Sequence, residues 1–301
     1  MRNNFINQLV QHARIDSRIM LVTGDLGFGV IEDFQSNFPS QYLNTGITEQ
    51  SSVSFVAGLA KNGFRPFFYS IANFSTFRAL EQIRNDICYM ELPVTIVSIG
   101  AGFGYGTAGY SHHLIEDFSA MSCLDIDIYT PTMPSNVEFC LRAILEINRP
   151  AYLRLGKGGE KNFGKSDQVF DFPGDYSQIP DTELTILVNG PIIDEVVFAV
   201  SRLGPFEKTA AILSCWKSNN FEQKDIDFLK SRRALVTVEE HVLRGGFGSY
   251  ISEIVGDKER QIKRIGISKI ERNYNGSSDF LRESYGLKAD RLFQEFLRNA
   301  I

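Results

Sequence analysis

Short β-rich runs alternate with amphipathic helical stretches almost from the first residues, the pattern of parallel α/β layers. Candidate strands run over Ile19 to Thr23, Pro66 to Ser70, Pro93 to Ile99, Asp127 to Thr130 and Ala151 to Leu155. Between them, Val53, Val56 and Leu59 after Glu49, and Val137, Leu141, Ile144 and Leu145 after Pro134, recur every three to four residues and mark one apolar helix face. Pro134 suits the first turn of its helix. From about Glu160 to Asp181 the periodicity lapses and Gly, Lys, Asp, Ser and Pro gather, following Gly156-Lys157-Gly158-Gly159 and including Pro173-Gly174-Asp175. This reads as a linker. A second α/β unit begins with Leu184 to Val188 and continues through Ala210 to Leu213, Leu235 to Val238 and Ile262 to Ile267. The pattern predicts domains at residues 1–160 and 183–301 joined by a linker over 161–182, with no internal repeat or coiled-coil heptad.

Composition agrees with two such cores: 301 residues, 43% hydrophobic and 22% charged. Lys plus Arg is 31 against 36 Asp plus Glu, a net charge of −5, with no basic block able to neutralise a run of phosphates, so nucleic-acid binding is not expected. No stretch approaches the roughly 20 apolar residues of a membrane span, and Met1-Arg2-Asn3-Asn4 lacks a signal peptide's apolar core. A soluble, cytoplasmic protein with no membrane partner is the expectation. Cys88, Cys123, Cys140 and Cys215 are scattered, with no CxxC and no histidine at ligand spacing, so neither a disulfide framework nor a zinc site is expected.

Gly104-Tyr105-Gly106-Thr107-Ala108-Gly109 is a literal G-x-G-x-x-G. A dinucleotide fingerprint needs a helix opening at its third glycine and an acidic residue about 20 positions on, at the end of a second strand. Tyr110-Ser111-His112-His113 does not read as a first helical turn, so a loop with close backbone approach is the better reading. Gly24-Asp25-Leu26-Gly27 follows the first strand directly, where α/β folds place ligand sites. Glu49 opens an apolar helix and reads either as a carboxylate favoured by the helix dipole or as a partly buried acid exchanging a proton with a ligand. His112 and His113 point to opposite sides if extended, so they make a poor chelating pair. Phe74 and Phe77, three apart, would ordinarily be core.

The order of these features resembles the C-terminal half of transketolase and of 1-deoxyxylulose-5-phosphate synthase, as found in split transketolases whose halves are separate chains. The residues that carry the resemblance are Gly24-Asp25-Leu26-Gly27, Gly46-Ile47-Thr48-Glu49-Gln50, Phe74-x-x-Phe77, Leu92-Pro93-Val94 and Ser111-His112-His113. They continue with Glu116-Asp117, Arg154-Leu155-Gly156-Lys157, Glu239-Glu240-His241, Gly245-Gly246-Phe247-Gly248 and Ser284-Tyr285-Gly286-Leu287. The resemblance implies two three-layer α/β domains, a thiamine-diphosphate pyrimidine-binding domain and a transketolase C-terminal domain. The implied activity moves a two-carbon ketol unit from a ketose donor to an aldehyde acceptor. The implied cofactors are thiamine diphosphate and Mg²⁺, bound between two chains.

In that family Glu49 would hydrogen-bond N1′ of the aminopyrimidine, where a carboxyl group can exchange the proton that activates thiazolium C2. Asp25, Leu26, Phe74 and Phe77 would complete the cofactor's surroundings; His112 and His113 would face the sugar, and Arg154 would hold its phosphate. Three departures matter. The GDG…Asn signature for metal and diphosphate is absent, which points to Mg²⁺ ligands on a separate N-terminal subunit, with two copies of each chain expected. Ala108 stands where transketolases carry an acidic hydroxyl reader, and Gly100 where they carry a phosphate-contacting histidine. The competing readings are a subunit of a 2-oxo-acid dehydrogenase or pyruvate-decarboxylating synthase, a non-catalytic scaffold, and a nicotinamide-dependent oxidoreductase.

Overall fold

The computed structural model describes residues 1–203, 210–256, 262–271 and 273–299. The first domain runs α1 (Arg2–Ile15), β1 (Ile19–Thr23), α2 (Glu32–Asn37), β2 (Tyr42–Asn44), α3 (Glu49–Lys61) and β3 (Arg65–Ile71). It continues with α4 (Leu80–Gln82), which runs on as a π-helical turn over Ile83–Cys88, then β4 (Thr95–Ile99), α5 (Asp117–Met121), β5 (Asp127–Tyr129), α6 (Asn136–Glu146) and β6 (Ala151–Leu155). Its six strands form one parallel sheet in the order β2-β1-β3-β4-β6-β5. Residues such as Ile19, Leu21, Val22, Ile96 and Val97 are buried at 0% exposure, as expected for strands covered on both faces. Helices α1, α2 and α6 cover one face; α3 and the π-helical turn cover the other.

The second domain comprises β7 (Val169–Phe172), β8 (Leu184–Asn189), α7 (Ile193–Ser201), β9 (Ala210–Cys215), α8 (Gln223–Ser231) and β10 (Ala234–Val242). It ends with α9 (Phe247–Val255), β11 (Lys263–Ile267), α10 (Ser278–Ser284) and α11 (Ala289–Asn299). The sheet is again parallel, in the order β11-β10-β8-β9-β7. Helices α7 and α11 pack on one face and α8 and α9 on the other. The core between α3 and its sheet runs on without a break into the core under α8 and α9.

Three details depart from the sequence pattern. The segment expected to be a linker supplies β7, an edge strand pairing with β9 from Val169↔Ile212 to Phe172↔Cys215. Only four residues long, it is too short to show a period. β2, three residues at the other sheet's edge, was also silent in the pattern. Pro134 lies in the turn before α6, not in its first helical turn, since the helix opens at Asn136 behind Ser135.

Candidate functional site

In an open parallel sheet, ligands bind outside the carboxyl ends of the strands where the strand order reverses. In the first sheet that point lies between β1 and β3, because the chain leaves β1 for β2 on one side and continues from β3 to β4 on the other. The turn after β1 is closed by Leu26 N–H donating to Gly24 C=O at 2.8 Å. Gly24 lies so close to the loop after β2 that a Cβ there would sit 3.2 Å from the Gly46 carbonyl. Asp25 is exposed at this rim and Leu26 half-buried. After β3, Ala72 is fully buried with φ +42°, a conformation that costs a non-glycine residue of order 1–3 kcal/mol. Its carbonyl is held by Ser75 Oγ at 3.1 Å and Ser98 Oγ at 3.4 Å.

Glu49 begins α3 and is only 5% exposed. It sits where the helix dipole favours negative charge. Arg78 donates to its Oε2 at 2.8 Å and lays its guanidinium 4.2 Å from the centroid of Phe74. Phe74 meets His112 edge-on at 5.1 Å. One contact path thus joins Glu49, Arg78, Phe74 and His112. Phe74 is half-buried and Phe77 40% exposed, so neither is a core residue. The surrounding surface also exposes Phe28 (74%) and Ile47 (76%). Arg78 was missed in the sequence; its only signal was standing directly after Phe77.

The two histidines separate as their adjacency implied, and His113, expected beside the sugar, is buried in the protein. It is 2% exposed, its Nε2 lies 3.1 Å from the Gly106 carbonyl, and its ring packs edge-on against Phe103 at 5.5 Å. Burial lowers its pKa, favouring a neutral ring. His112 remains half-buried on the crevice side, with Nδ1 3.0 Å from Ser111 Oγ. Asn73 Nδ2 ties this loop to the turn after β3, donating to the carbonyls of His113 at 2.9 Å and Ser111 at 3.3 Å.

Arg154 is also corrected. At 1% exposure, its Nε donates to Asp117 Oδ2 at 2.7 Å, and its Nη2 to the carbonyls of Leu114 at 2.6 Å and Glu240 at 3.3 Å. Tyr152 Oη donates to the same Asp117 oxygen at 2.7 Å. A guanidinium engaged in this way is not available to a sugar phosphate. Sequence could not reveal this, because its partners Asp117 and Leu114 are distant in the chain and Glu240 and Gly190 belong to the second domain.

That domain has its own strand-order reversal, between β8 and β10, and the first domain plugs it. A Cβ at Gly190, just after β8, would lie 3.1 Å from Arg154 Nη1. At Gly102 (φ +63°) a Cβ would collide with Glu240 of β10. Glu240 Oε1 in turn accepts from Arg282 Nε at 2.5 Å. Phe103 stacks on Tyr285 at 5.4 Å and 7°. Thus the glycines over 100–109 allow close packing between domains, and a 3₁₀ turn, Gly106–Ala108, replaces the helix a dinucleotide fingerprint requires. Glu239 accepts from the N–H groups of Phe247 at 2.7 Å and Gly248 at 2.8 Å, yet burial raises its pKa to about 7. Burial lowers that of His241 to about 4; its Nε2 is 3.9 Å from Asp117 Oδ1, too far for a hydrogen bond. A cleft of about 940 Å³ opens beside this plug, lined by Ala101, Gly104, Lys157 and Arg282; Glu49, Phe74, Phe77 and His112 do not line it.

Among the described residues, no three His, Cys, Asp or Glu side chains cluster to hold a metal ion. The four cysteines are unpaired. No helix among the described residues is long and apolar enough to cross a membrane.

Residues 1–159 match the transketolase pyrimidine-binding domain and residues 177–292 the transketolase C-terminal domain. The chain is 27% identical to one of the subunits of the apulose-4-phosphate transketolase of Phocaeicola vulgatus, over 95% of this chain and 93% of that protein. It is 27% identical to a transketolase C-terminal section from Methanocaldococcus jannaschii, over 99% and 95%. The 1-deoxy-D-xylulose-5-phosphate synthase of Clostridium kluyveri is 26% identical over 98% of this chain but only 47% of its own length. Among solved structures, one described as "split gene transketolase, inactive beta4 tetramer" superposes with a TM-score of 0.83 at 26% identity, over 99% and 97%. Two parallel-sheet domains in this order, with a buried glutamate opening α3 at the first sheet's reversal, therefore place the chain in the transketolase family, as a subunit made of its pyrimidine-binding and C-terminal domains.

Proposed function

We propose that this chain supplies the proton-exchanging half of a thiamine-diphosphate site in a two-chain enzyme that transfers a two-carbon ketol unit from a ketose to an aldehyde. The observation that carries the reading is Glu49: a carboxylate 5% exposed at a helix start, in a crevice whose aromatic rings are left partly open. These residues fit an aminopyrimidine. Glu49 would meet N1′, with Phe74 and Phe77 flanking the ring and Asp25 and Leu26 at the rim. When bound, the cofactor supplies a nucleophilic carbon and an electron sink for C–C cleavage.

Arg78 holds one Glu49 oxygen and keeps the carboxyl group oriented, leaving the other for the proton exchanged with the ring nitrogen. Phe74 fixes the His112 imidazole, which is placed to donate to oxygen where charge develops. The exposed rings around the crevice support closure by a second chain, which would exclude water. We place the diphosphate and Mg²⁺ ligands on that partner, with two copies of each chain and a cytoplasmic location. The missing GDG…Asn signature, the unpaired cysteines and a tetrameric relative described as inactive support this arrangement. We take residues 1–160 as the first domain and 183–301, together with the strand β7 at Val169–Phe172 from the intervening segment, as the second.

The test is reconstitution. Purified alone, the chain should show no ketol transfer with thiamine diphosphate and Mg²⁺, and adding a chain that carries the diphosphate signature should restore it. Full activity of this polypeptide alone, with mass spectrometry showing no second protein, refutes the two-chain reading. Stoichiometric CO₂ release from pyruvate by the assembled pair would instead favour a decarboxylating synthase.

A further inference from the structure

Away from the crevice, a cavity of about 470 Å³ lies between α6 of the first domain and the segment around β7 of the second. That volume is in the range of small-molecule sites. Its lining includes an aromatic group, Phe139, Phe163, Phe170 and Trp216 with Met133, among charged and backbone-rich segments. Helix α6 turns Val137, Cys140, Leu141 and Ile144 into the sheet core, while Phe139, Arg142, Ala143 and Glu146, spaced three to four apart, line this second face. Trp216 is held rigidly: its Nε1 donates to the Pro173 carbonyl at 2.9 Å, and its ring stacks on Tyr129 at 6.4 Å and 12°.

One built polar group enters these walls. Asn136 is fully buried; its Oδ1 accepts from Thr132 Oγ1 at 3.0 Å and Ser214 Oγ at 2.8 Å, and its Nδ2 donates to Asp171 Oδ1 at 2.7 Å. The network thus ends in a carboxyl group that lines the cavity. Its other oxygen takes no hydrogen bond from a described residue. Burial raises the Asp171 pKa, the mark of a carboxylate short of partners. For packing alone an asparagine or an apolar residue would serve at lower cost, since a half-buried carboxylate short of partners costs stability.

An aromatic patch, with Phe139 and Trp216 tilted 52° to each other, and one oriented acceptor call for a planar ligand with an N–H donor on its edge. Charges at the mouth are balanced, Arg142 and Lys165 against Glu146 and Asp175, so no strongly anionic group is called for. We propose that this cavity binds a free amino-bearing heteroaromatic base of the adenine or cytosine class, as base or nucleoside, with the ring among Phe139, Phe163 and Trp216 and the exocyclic amine on Asp171. Carboxylates accept from such exocyclic amines, whereas uracil's exocyclic groups are carbonyl acceptors and only its ring N3–H can donate.

Trp216 is the sole tryptophan of the chain, so its fluorescence reports this cavity directly. Titrating the full-length chain with adenosine and cytidine should give saturable quenching, with uridine at least about tenfold weaker, the loss expected for one charged hydrogen bond. Asp171→Asn keeps the shape and the Asn136 contact and should remove that preference, while Phe139→Ala should weaken every ligand. Glu49→Gln should leave the titration unchanged, which separates this site from one for an aminopyrimidine cofactor. The proposal is overturned by an absence of saturable change, by equal binding of uridine, or by a preference that survives Asp171→Asn.

Discussion

The molecule has two strand-order reversals in two parallel sheets, and they have opposite fates. Between β1 and β3 the reversal is open: Glu49 has one ionic partner, Phe77 is 40% exposed, and His112 is held by ring packing and a serine. Between β8 and β10 the place a ligand would occupy holds the molecule's own Arg154, Asp117 and the glycine-rich loop. Both are rich in charge. What separates them is access: Arg154 and Asp117 are buried against each other, with Asp117 Oδ1 left without a hydrogen-bond partner among the described residues, whereas the open crevice leaves aromatic faces exposed beside its carboxyl group. A charged side chain at a strand's carboxyl end is therefore evidence of a binding site only where no second domain has used it for packing.

The largest expected effect tests the open side. Glu49→Gln keeps the shape and one hydrogen bond but cannot exchange the proton, so deuterium exchange at C2 of the cofactor in the reconstituted complex should fall by about 10² to 10⁴ while the thermal midpoint hardly moves. Exchange within about threefold of wild type would reduce Glu49 to a helix-end residue, worth roughly 0.3 to 1 kcal/mol of stability.

On the sealed side, Arg154→Ala leaves Asp117 buried with no ionic partner and only the Tyr152 hydroxyl donating to it. Loss of about 3 to 5 kcal/mol in urea unfolding is expected, with soluble yield falling. If stability survives and only KM for phosphorylated substrates rises, the plug is dispensable and Arg154 is a phosphate ligand after all.

A smaller effect concerns His241. Its pKa falls from 6.5 unfolded to about 4 folded, so the unfolded chain binds the proton first on acidification. The stability from keeping the ring neutral is present above pH 6.5 and lost as pH falls toward 4, on the order of 1 to 3 kcal/mol. Urea midpoints followed through that window should drop more steeply for wild type than for His241→Gln; parallel curves would show that burial does not keep the imidazole neutral. Smallest, Phe77→Ala should leave unfolding stability within about 0.5 kcal/mol, as for an exposed residue. It should weaken cofactor or partner binding by about 1 kcal/mol, roughly fivefold, in calorimetry. A large stability loss would mean that the ring is core.

By itself the sequence determined the alternation of strands and helices, since β-branched runs buried on both faces and a period of 3.6 are local properties; β1 and β6 begin and end where the pattern places them. It also placed Glu49 at a helix start and marked the glycine-rich loop as something other than a dinucleotide site. Strands of three or four residues such as β2 and β7 were beyond it, being too short for a period and held only by their neighbours. Arg154, His113 and Arg78 show what tertiary structure alone decided. A side chain's exposure and hydrogen-bond partners come from segments distant in the chain: Arg154 meets Asp117 and Leu114 through the folding of its own domain, and Glu240 because the second domain closes over the first. Charge and spacing name the residue types able to do chemistry; desolvation and partner geometry, which exist only in the folded chain, select those left free to do it.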